Sequence, residues 1–168
     1  MKIMKIIKKI VIFAVILSVV LSFSSCVKDK RFDYSELNIR LKKDAPEFVF
    51  DESEIFFSDS VYYVYYSLNS EDDMLLTLKE DERMKLERIT LTLDSKKAEE
   101  SGETFRKFAL ALANIFIPEL NESALIDATG INDVSSYTSD IMKSYTEGFY
   151  KAVLFCSGEA ACFMLLYG

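Results

Sequence analysis

Histidine is missing from this 168-residue chain, and glycine and proline are scarce, at five and two residues. Without histidine the chain lacks the commonest general base, the commonest zinc ligand and every nucleophile that depends on an adjacent imidazole. None of the five glycines has the spacing of a phosphate-binding or dinucleotide-binding loop. We therefore expect no cofactor and no metal site, and we expect that the protein is not an enzyme.

Basic residues are also in the minority, with 20 Lys and Arg against 27 Asp and Glu. Four of the lysines lie in the first 25 residues, which contain no acid, so residues 26–168 carry 16 basic and 27 acidic side chains, a net charge of −11. Binding to nucleic acid needs stripes of Lys and Arg that neutralise phosphates. We therefore expect no nucleic-acid partner.

The first 25 residues have the organisation of an export signal. Four lysines within residues 2–9 precede an uncharged apolar run, IVIFAVILSVVLSF, at residues 10–23. A helix that crosses the hydrocarbon core of a bilayer needs about 20 predominantly apolar residues, so this run of 14 residues suits a cleaved signal better than a permanent span. Residues 1–25 are therefore predicted to be a signal peptide.

The residues that end this run, LSFSSC, place the small side chains of Ser24 and Ser25 directly before Cys26. This arrangement resembles the lipobox of bacterial lipoproteins, with Phe23 in the position where leucine is usual. The resemblance covers residues 1–26. It implies that Cys26 receives a diacylglyceryl group, becomes the first residue of the mature chain, and anchors an exported protein to the cell membrane through two acyl chains. An uncleaved signal anchor and ordinary secretion are the alternatives.

The charge beyond Cys26 is uneven. Residues 27–43 contain six basic and three acidic side chains, whereas residues 44–82 contain twelve acids and one lysine. We interpret residues 26–43 as a lipid-attached tether, which is either simply solvated or attracted to anionic head groups. Residues 44–168 are long enough for one domain with its own core, and they contain no Gly, Pro or Ser-rich linker.

Two groups of three strands are predicted from β-prone composition and alternation. The first group covers residues 60–68 (SVYYVYYSL), 74–79 and 89–93, and the second covers residues 141–146, 149–156 and 161–167. Between Leu86 and Ile89 the apolar residues change from even to odd positions, which predicts a bulge or a strand start near Glu87. Residues 136–148 are also compatible with a partly helical structure.

A helical section separates the two groups of strands. Apolar residues recur at helical spacing over residues 105–116, and Pro118 is predicted to end this helix. Asn121 is a good N-cap for a second short helix, which Gly130 is placed to close. The order βββ-αα-βββ predicts an α+β fold with two helices on one face of an antiparallel sheet. This order is loosely similar to that of β-lactamase-inhibitor-like exported domains, and no functional residue carries over from them.

Cys156 and Cys162 lie symmetrically about Glu159. A loop of three or five residues centred on Glu159 would bring the two sulfurs side by side at the spacing of a disulfide, whereas a two-residue loop would offset them. A disulfide and a pair of small apolar strand residues both remain open.

The tyrosine-rich strand suggests a function. Tyr62, Val64 and Tyr66 alternate with Val61, Tyr63 and Tyr65. One face of the strand is expected to meet the helices. The other, with Tyr63 and Tyr65, is either exposed or packed against a second layer or the tether. Exposed tyrosines suit the binding of a protein, peptide or glycan. We therefore expect a noncatalytic binding module outside the cytoplasm. The alternative is a small carboxylate-dependent hydrolase at the cell surface, which would need converging carboxylates in a deep pocket.

Overall fold

A computed structural model describes residues 30–51, 55–59, 61–67 and 72–168, with side chains everywhere in these ranges except at residues 66, 67, 72 and 73. The helices are α1 (Tyr34–Asp44), α2 (Ala98–Phe116) and α3 (Glu122–Thr129). The strands are β1 (Phe56–Ser58), β2 (Val61–Ser67), β3 (Asp72–Glu80), β4 (Leu86–Asp94), β5 (Ile141–Glu147), β6 (Tyr150–Cys156) and β7 (Ala160–Tyr167). Short 3-10 helices cover Pro46–Phe48, Ser95–Lys97 and Val134–Thr138.

The seven strands form one sheet in the order β1-β2-β3-β4-β7-β6-β5, and every neighbouring pair is antiparallel. The first four strands are one meander and the last three are another, and the two meanders meet where β4 pairs with β7. The predicted α+β fold is confirmed. Residues 141–147 form a strand, so the helical alternative for this segment is wrong except at the 3-10 helix that precedes it.

The register explains the change of parity near Glu87. Lys79 pairs with Arg88, but the next residue of β3, Glu80, pairs with Leu86. Glu87 is therefore the additional residue of a bulge, as predicted. The bulge keeps both Leu86 and Ile89 on the buried face, where each has at most 1% of its surface exposed.

The core lies between one face of the sheet and the helices. Phe105, Phe108 and Leu112 of α2 are fully buried in the same cluster as Leu91 of β4 and Phe163 of β7. Local signals set the ends of α3: the side chain of Asn121 accepts a hydrogen bond from the N–H of Ala124 at 3.2 Å, and Gly130 has the left-handed φ of 68°. The caps predicted for this helix are confirmed.

The predicted boundary between tether and domain is corrected by the structure. The compact unit comprises Arg31–Gly168, so it begins 13 residues before the expected start at residue 44. Residues 34–44 form α1, which buries Leu37 and Leu41 completely in the core. Asp33 caps this helix by accepting a hydrogen bond from the N–H of Glu36 at 2.8 Å. Leu37 and Leu41 form an apolar stripe at four-residue spacing, which is difficult to recognise in the sequence because most of the other residues of α1 are polar or charged.

Tyr34 at the start of α1 stacks on Tyr62 of β2 with 4.4 Å between ring centroids, and its N–H donates to a carboxylate oxygen of Glu80 at 3.0 Å. These contacts join α1 to the first meander. Among the helices of the described residues, none is long and apolar enough to cross a membrane.

Candidate functional site

The strand register divides the side chains of the sheet into a helix-covered face and an outward face. Leu76, Leu91, Phe163 and Leu154 lie in one row across the helix-covered face, and none is more than 1% exposed. The alternate residues of the same strands point the other way. In the described part of the chain, none of these outward residues belongs to the buried core cluster. One side of the sheet therefore carries the core. Among the described outward residues of the strands, Val153 is buried and the others are half-buried or exposed.

An apolar row crosses six strands of the outward face. Its members pair successively from β2 to β5: Tyr65, Leu75, Thr92, Cys162, Phe155 and Met142. Tyr65 is 54% exposed, Phe155 is 41% exposed and Met142 is 69% exposed. Between them Thr92 and Cys162 are half-buried, with 3.6 Å between Oγ1 and Sγ. The row therefore has large, exposed side chains at both ends and smaller, half-buried ones in its centre.

The adjacent row contains Tyr63, Thr77, Thr90, Met164, Val153 and Ser144. Phe56 of β1 pairs with Tyr63, and the two rings lie 6.1 Å apart between centroids. Phe56 itself is 61% exposed. Burial of the Phe56 and Tyr63 rings against the helices would stabilise the fold. The packing of the described residues therefore does not explain why these rings lie on the outward face.

A depression of about 380 Å³ opens at one end of the apolar row. It is lined by Tyr65, Met74, Leu75, Thr92, Asp94, Glu159 and Ala160. The carboxylates of Asp94 and Glu159 lie at exposed positions, and the backbone carbonyl of Glu159 accepts a hydrogen bond from the N–H of Ser95 at 3.0 Å. The depression thus combines one exposed aromatic ring, apolar strand residues and acidic groups at its rim.

The structure places both tyrosines singled out from the sequence, Tyr63 and Tyr65, on this outward face. Sequence reasoning missed Phe155, Asp94 and Glu159, which come from the second meander and from the end of β4. Alternation along β6 assigns Phe155 to the face opposite Cys156. Only the pairing of β4 with β7, however, brings the two meanders into one surface.

The two cysteines do not form the disulfide considered above. Phe155 pairs with Cys162 and Cys156 pairs with Ala161, so the hairpin has the register of a two-residue loop and the cysteines point to opposite faces. Both are free thiols. Burial, with a smaller contribution from Cys162, raises the pKa of Cys156 to about 11, so this thiol stays protonated at neutral pH.

A charged groove of about 610 Å³ lies at the opposite end of the sheet, lined by Arg31, Lys79, Glu80, Asp81, Glu82, Arg83 and Glu87. Arg31 binds Asp81 at 2.8 Å, and Lys79 binds Glu87 at 2.5 Å. Partial burial would raise the pKa of Asp81, but hydrogen bonds from the N–H groups of Lys85 and Arg83, together with the Arg31 guanidinium, outweigh it and hold this pKa below its ordinary value. These ion pairs close a turn and attach the start of the compact unit to it.

Within the described ranges, no group of three or more Cys, Asp and Glu side chains is placed to hold a metal ion. The predicted lipidation residue, Cys26, lies outside the described residues. No protein-family model, no curated protein and no solved structure matches the chain.

Proposed function

We propose that this protein is a lipid-anchored extracytoplasmic module that binds a protein, peptide or glycan on the outward face of its sheet without catalysis. The observation that carries the proposal is the asymmetry of the sheet. The core covers one face, whereas the other displays Tyr65, Phe155, Met142 and Phe56 at between 41% and 69% exposure. A contiguous exposed apolar surface with a polar rim is typical of interaction sites in soluble domains.

The chemistry of the outward face favours an extended partner. The apolar row is shallow and crosses six strands, so it offers area and ring faces rather than an enclosed pocket. Tyrosine provides a rigid surface with a hydroxyl group at little entropic cost. Asp94 and Glu159 beside Tyr65 favour partners that bring a basic group to this end of the face.

Export and anchoring are supported by the sequence of residues 1–26. The basic start, the apolar run and the small residues before Cys26 are the features that a lipoprotein signal requires. Two acyl chains would hold the domain stably at a membrane surface. A tethered domain needs only modest affinity for a partner on the same surface, because tethering raises the effective concentration.

Site-specific photo-crosslinking in cells tests the binding face. A photoreactive phenylalanine analogue replaces Tyr65 in one strain and Ile39 in a control strain. Ile39 is 69% exposed, and it belongs to α1, which packs on the helix-covered face of the sheet. We expect a discrete adduct from position 65 and none from position 39. Equal labelling at both positions, or no adduct at position 65, would contradict the proposed binding face.

The anchor is tested separately by intact mass and membrane fractionation of the wild type and of Cys26→Ala. We expect the wild type to be cleaved before Cys26, to carry acyl chains and to fractionate with membranes. The Cys26→Ala variant should lose the acyl mass. A full-length wild type without acyl groups would overturn the lipoprotein assignment.

A further inference from the structure

We propose that the end of the domain where the chain enters the compact unit rests on the lipid bilayer, with Met84 and Phe149 in the headgroup region. This end, called the entry end below, consists of Arg31, the β3–β4 turn at residues 81–85, the β5–β6 turn at residues 147–150, and Tyr167. The proposal depends on the proposed lipid anchor at Cys26 and adds an orientation to it.

Direct contacts join these parts of the entry end. The guanidinium of Arg31 binds Asp81 in the β3–β4 turn at 2.8 Å and lies over the ring of Tyr167 at 4.2 Å from its centroid. The ring of Tyr167 lies 6.0 Å from that of Phe149, and the N–H of Gly168 donates to the carbonyl of Phe149 at 3.0 Å. Two hairpin tips and the start of the compact unit therefore lie together at one end of the sheet.

Each hairpin tip exposes a large apolar side chain. Met84 is 64% exposed and Phe149 is 59% exposed. Met84 also has a φ of 56°, in the left-handed region where glycine or asparagine is more favourable than methionine. Folding alone gives no reason for a methionine at this position. Contact with the apolar part of a bilayer would give a reason, because the side chains of Met84 and Phe149 would then be removed from water.

Charges at the entry end suit anionic head groups. Arg88 and Lys151 are exposed on the outward face within one row of this end. Three acids of the same region are engaged within the protein: Asp81 binds Arg31, Glu87 binds Lys79, and Glu80 accepts the N–H of Tyr34. Glu82 is exposed in the β3–β4 turn, and the exposed Arg83 of the same turn offsets its charge. Basic side chains near an anionic surface each contribute favourably to binding.

The covalent chain limits how far this end can lie from the anchor. Arg31 follows Cys26 by five residues, which span at most about 18 Å when fully extended. Residues 27–30 include Lys28 and Lys30 against the single acid Asp29. A domain held by so short a segment would present its entry end to the membrane, and the depression beside Tyr65 would lie at the far end of the strands.

Tryptophan fluorescence tests the orientation, since the chain contains no tryptophan. The full lipidated protein carrying Phe149→Trp is placed in vesicles of phosphatidylcholine and phosphatidylglycerol with brominated acyl chains, which quench at short range. The matched control is Glu159→Trp, at an exposed hairpin tip on the opposite end of β6 and β7. We expect a blue shift and strong quenching for Phe149→Trp and neither for Glu159→Trp. Adding Met84→Asn should weaken the quenching without lowering the thermal unfolding midpoint, because asparagine tolerates the left-handed conformation.

The outcomes separate the two proposals. A protein that is acylated and bound to vesicles but shows equal, weak quenching at both tips would overturn the orientation and leave the anchor intact. Stronger quenching for Glu159→Trp would mean that the opposite end faces the bilayer. A wild type that carries no acyl chains and stays out of the vesicle fraction would overturn the anchor and the orientation together.

Discussion

Arg31 is a charged residue whose side chain is nearly buried. Its side chain is only 8% exposed, yet its charge is balanced by Asp81 and its flat surface lies on the ring of Tyr167. Asp81 in turn accepts hydrogen bonds from the N–H groups of Arg83 and Lys85 at 2.8 and 3.0 Å. One carboxylate therefore organises the β3–β4 turn and secures the first residue of the compact unit.

Replacing Asp81 by asparagine should lower the free energy of unfolding by about 1–2 kcal/mol at pH 7, because the nearly buried Arg31 loses its ionic partner. The folded-state pKa of Asp81 is depressed. Its contribution is therefore present above the unfolded pKa of about 4 and is lost as the pH falls through the lower folded pKa. Urea unfolding at pH 7 and pH 3 should show that the difference between wild type and Asp81→Asn shrinks in acid.

Glu82→Gln is the matched control, since Glu82 is an exposed acid in the same turn. It should change stability by less than about 0.5 kcal/mol at either pH. If Asp81→Asn proves as mild as Glu82→Gln at pH 7, the ion pair between Arg31 and Asp81 contributes nothing measurable.

At the scale of elements, α1 changes the interpretation of residues 34–44. It has five charged residues out of 11, but Leu37 and Leu41 lie on one face and are fully buried. Asn38 adds a second attachment, since its side chain both donates to the carbonyl of Phe50 at 2.9 Å and accepts from the N–H of Phe50 at 3.1 Å. The helix is thus an integral part of the domain.

Leu37→Ala should therefore destabilise the protein by about 2–4 kcal/mol, as expected when a fully buried leucine is truncated. Ile39→Ala on the same helix removes a side chain that is 69% exposed and should cost less than about 0.5 kcal/mol. Chemical denaturation of both variants at neutral pH measures the difference. Similar small effects for both would mean that α1 does not pack on the core in solution.

At the scale of the whole molecule, the sheet is asymmetric in two directions. Its faces separate the core from the open apolar row, and its ends separate the depression beside Tyr65 from the entry end with Arg31. The compact unit that carries both ends is Arg31–Gly168. The tether that we propose would therefore lie before Arg31 and would not extend to residue 43.

Limited digestion with trypsin tests this boundary. Lys42 and Lys43 are exposed but lie in α1, and a protease must unwind the helix to cut there. We expect rapid cleavage at Lys28 or Lys30 and a stable fragment that begins near Arg31, identified by its mass. Early cleavage after Lys42 or Lys43 in the wild type would contradict a boundary at Arg31. The same cleavage is expected in Leu37→Ala, because that substitution weakens the packing of α1 on the core.

Much of the secondary structure can be predicted from local patterns in the sequence. The six longer strands, α2, the caps of α3 and the bulge at Glu87 all follow from alternation, helical spacing and capping residues, which act over a few neighbouring positions. β1 was missed because it has three residues, and α1 was missed because its composition is mostly polar. Such short or charged segments become ordered only through partners elsewhere in the chain.

The sequence by itself determined the α+β class, the acidic balance, the absence of imidazole chemistry and the alternation that assigns Tyr63 and Tyr65 to one face. Tertiary structure alone decided that β4 pairs with β7, which joins Tyr65, Cys162 and Phe155 in one row, and that the hairpin register turns Cys156 and Cys162 to opposite faces. Periodicity specifies which side of a strand a residue occupies, because that depends on the backbone next to it. Strand order and register depend on how distant segments fit around a common core, and a local pattern does not contain that information.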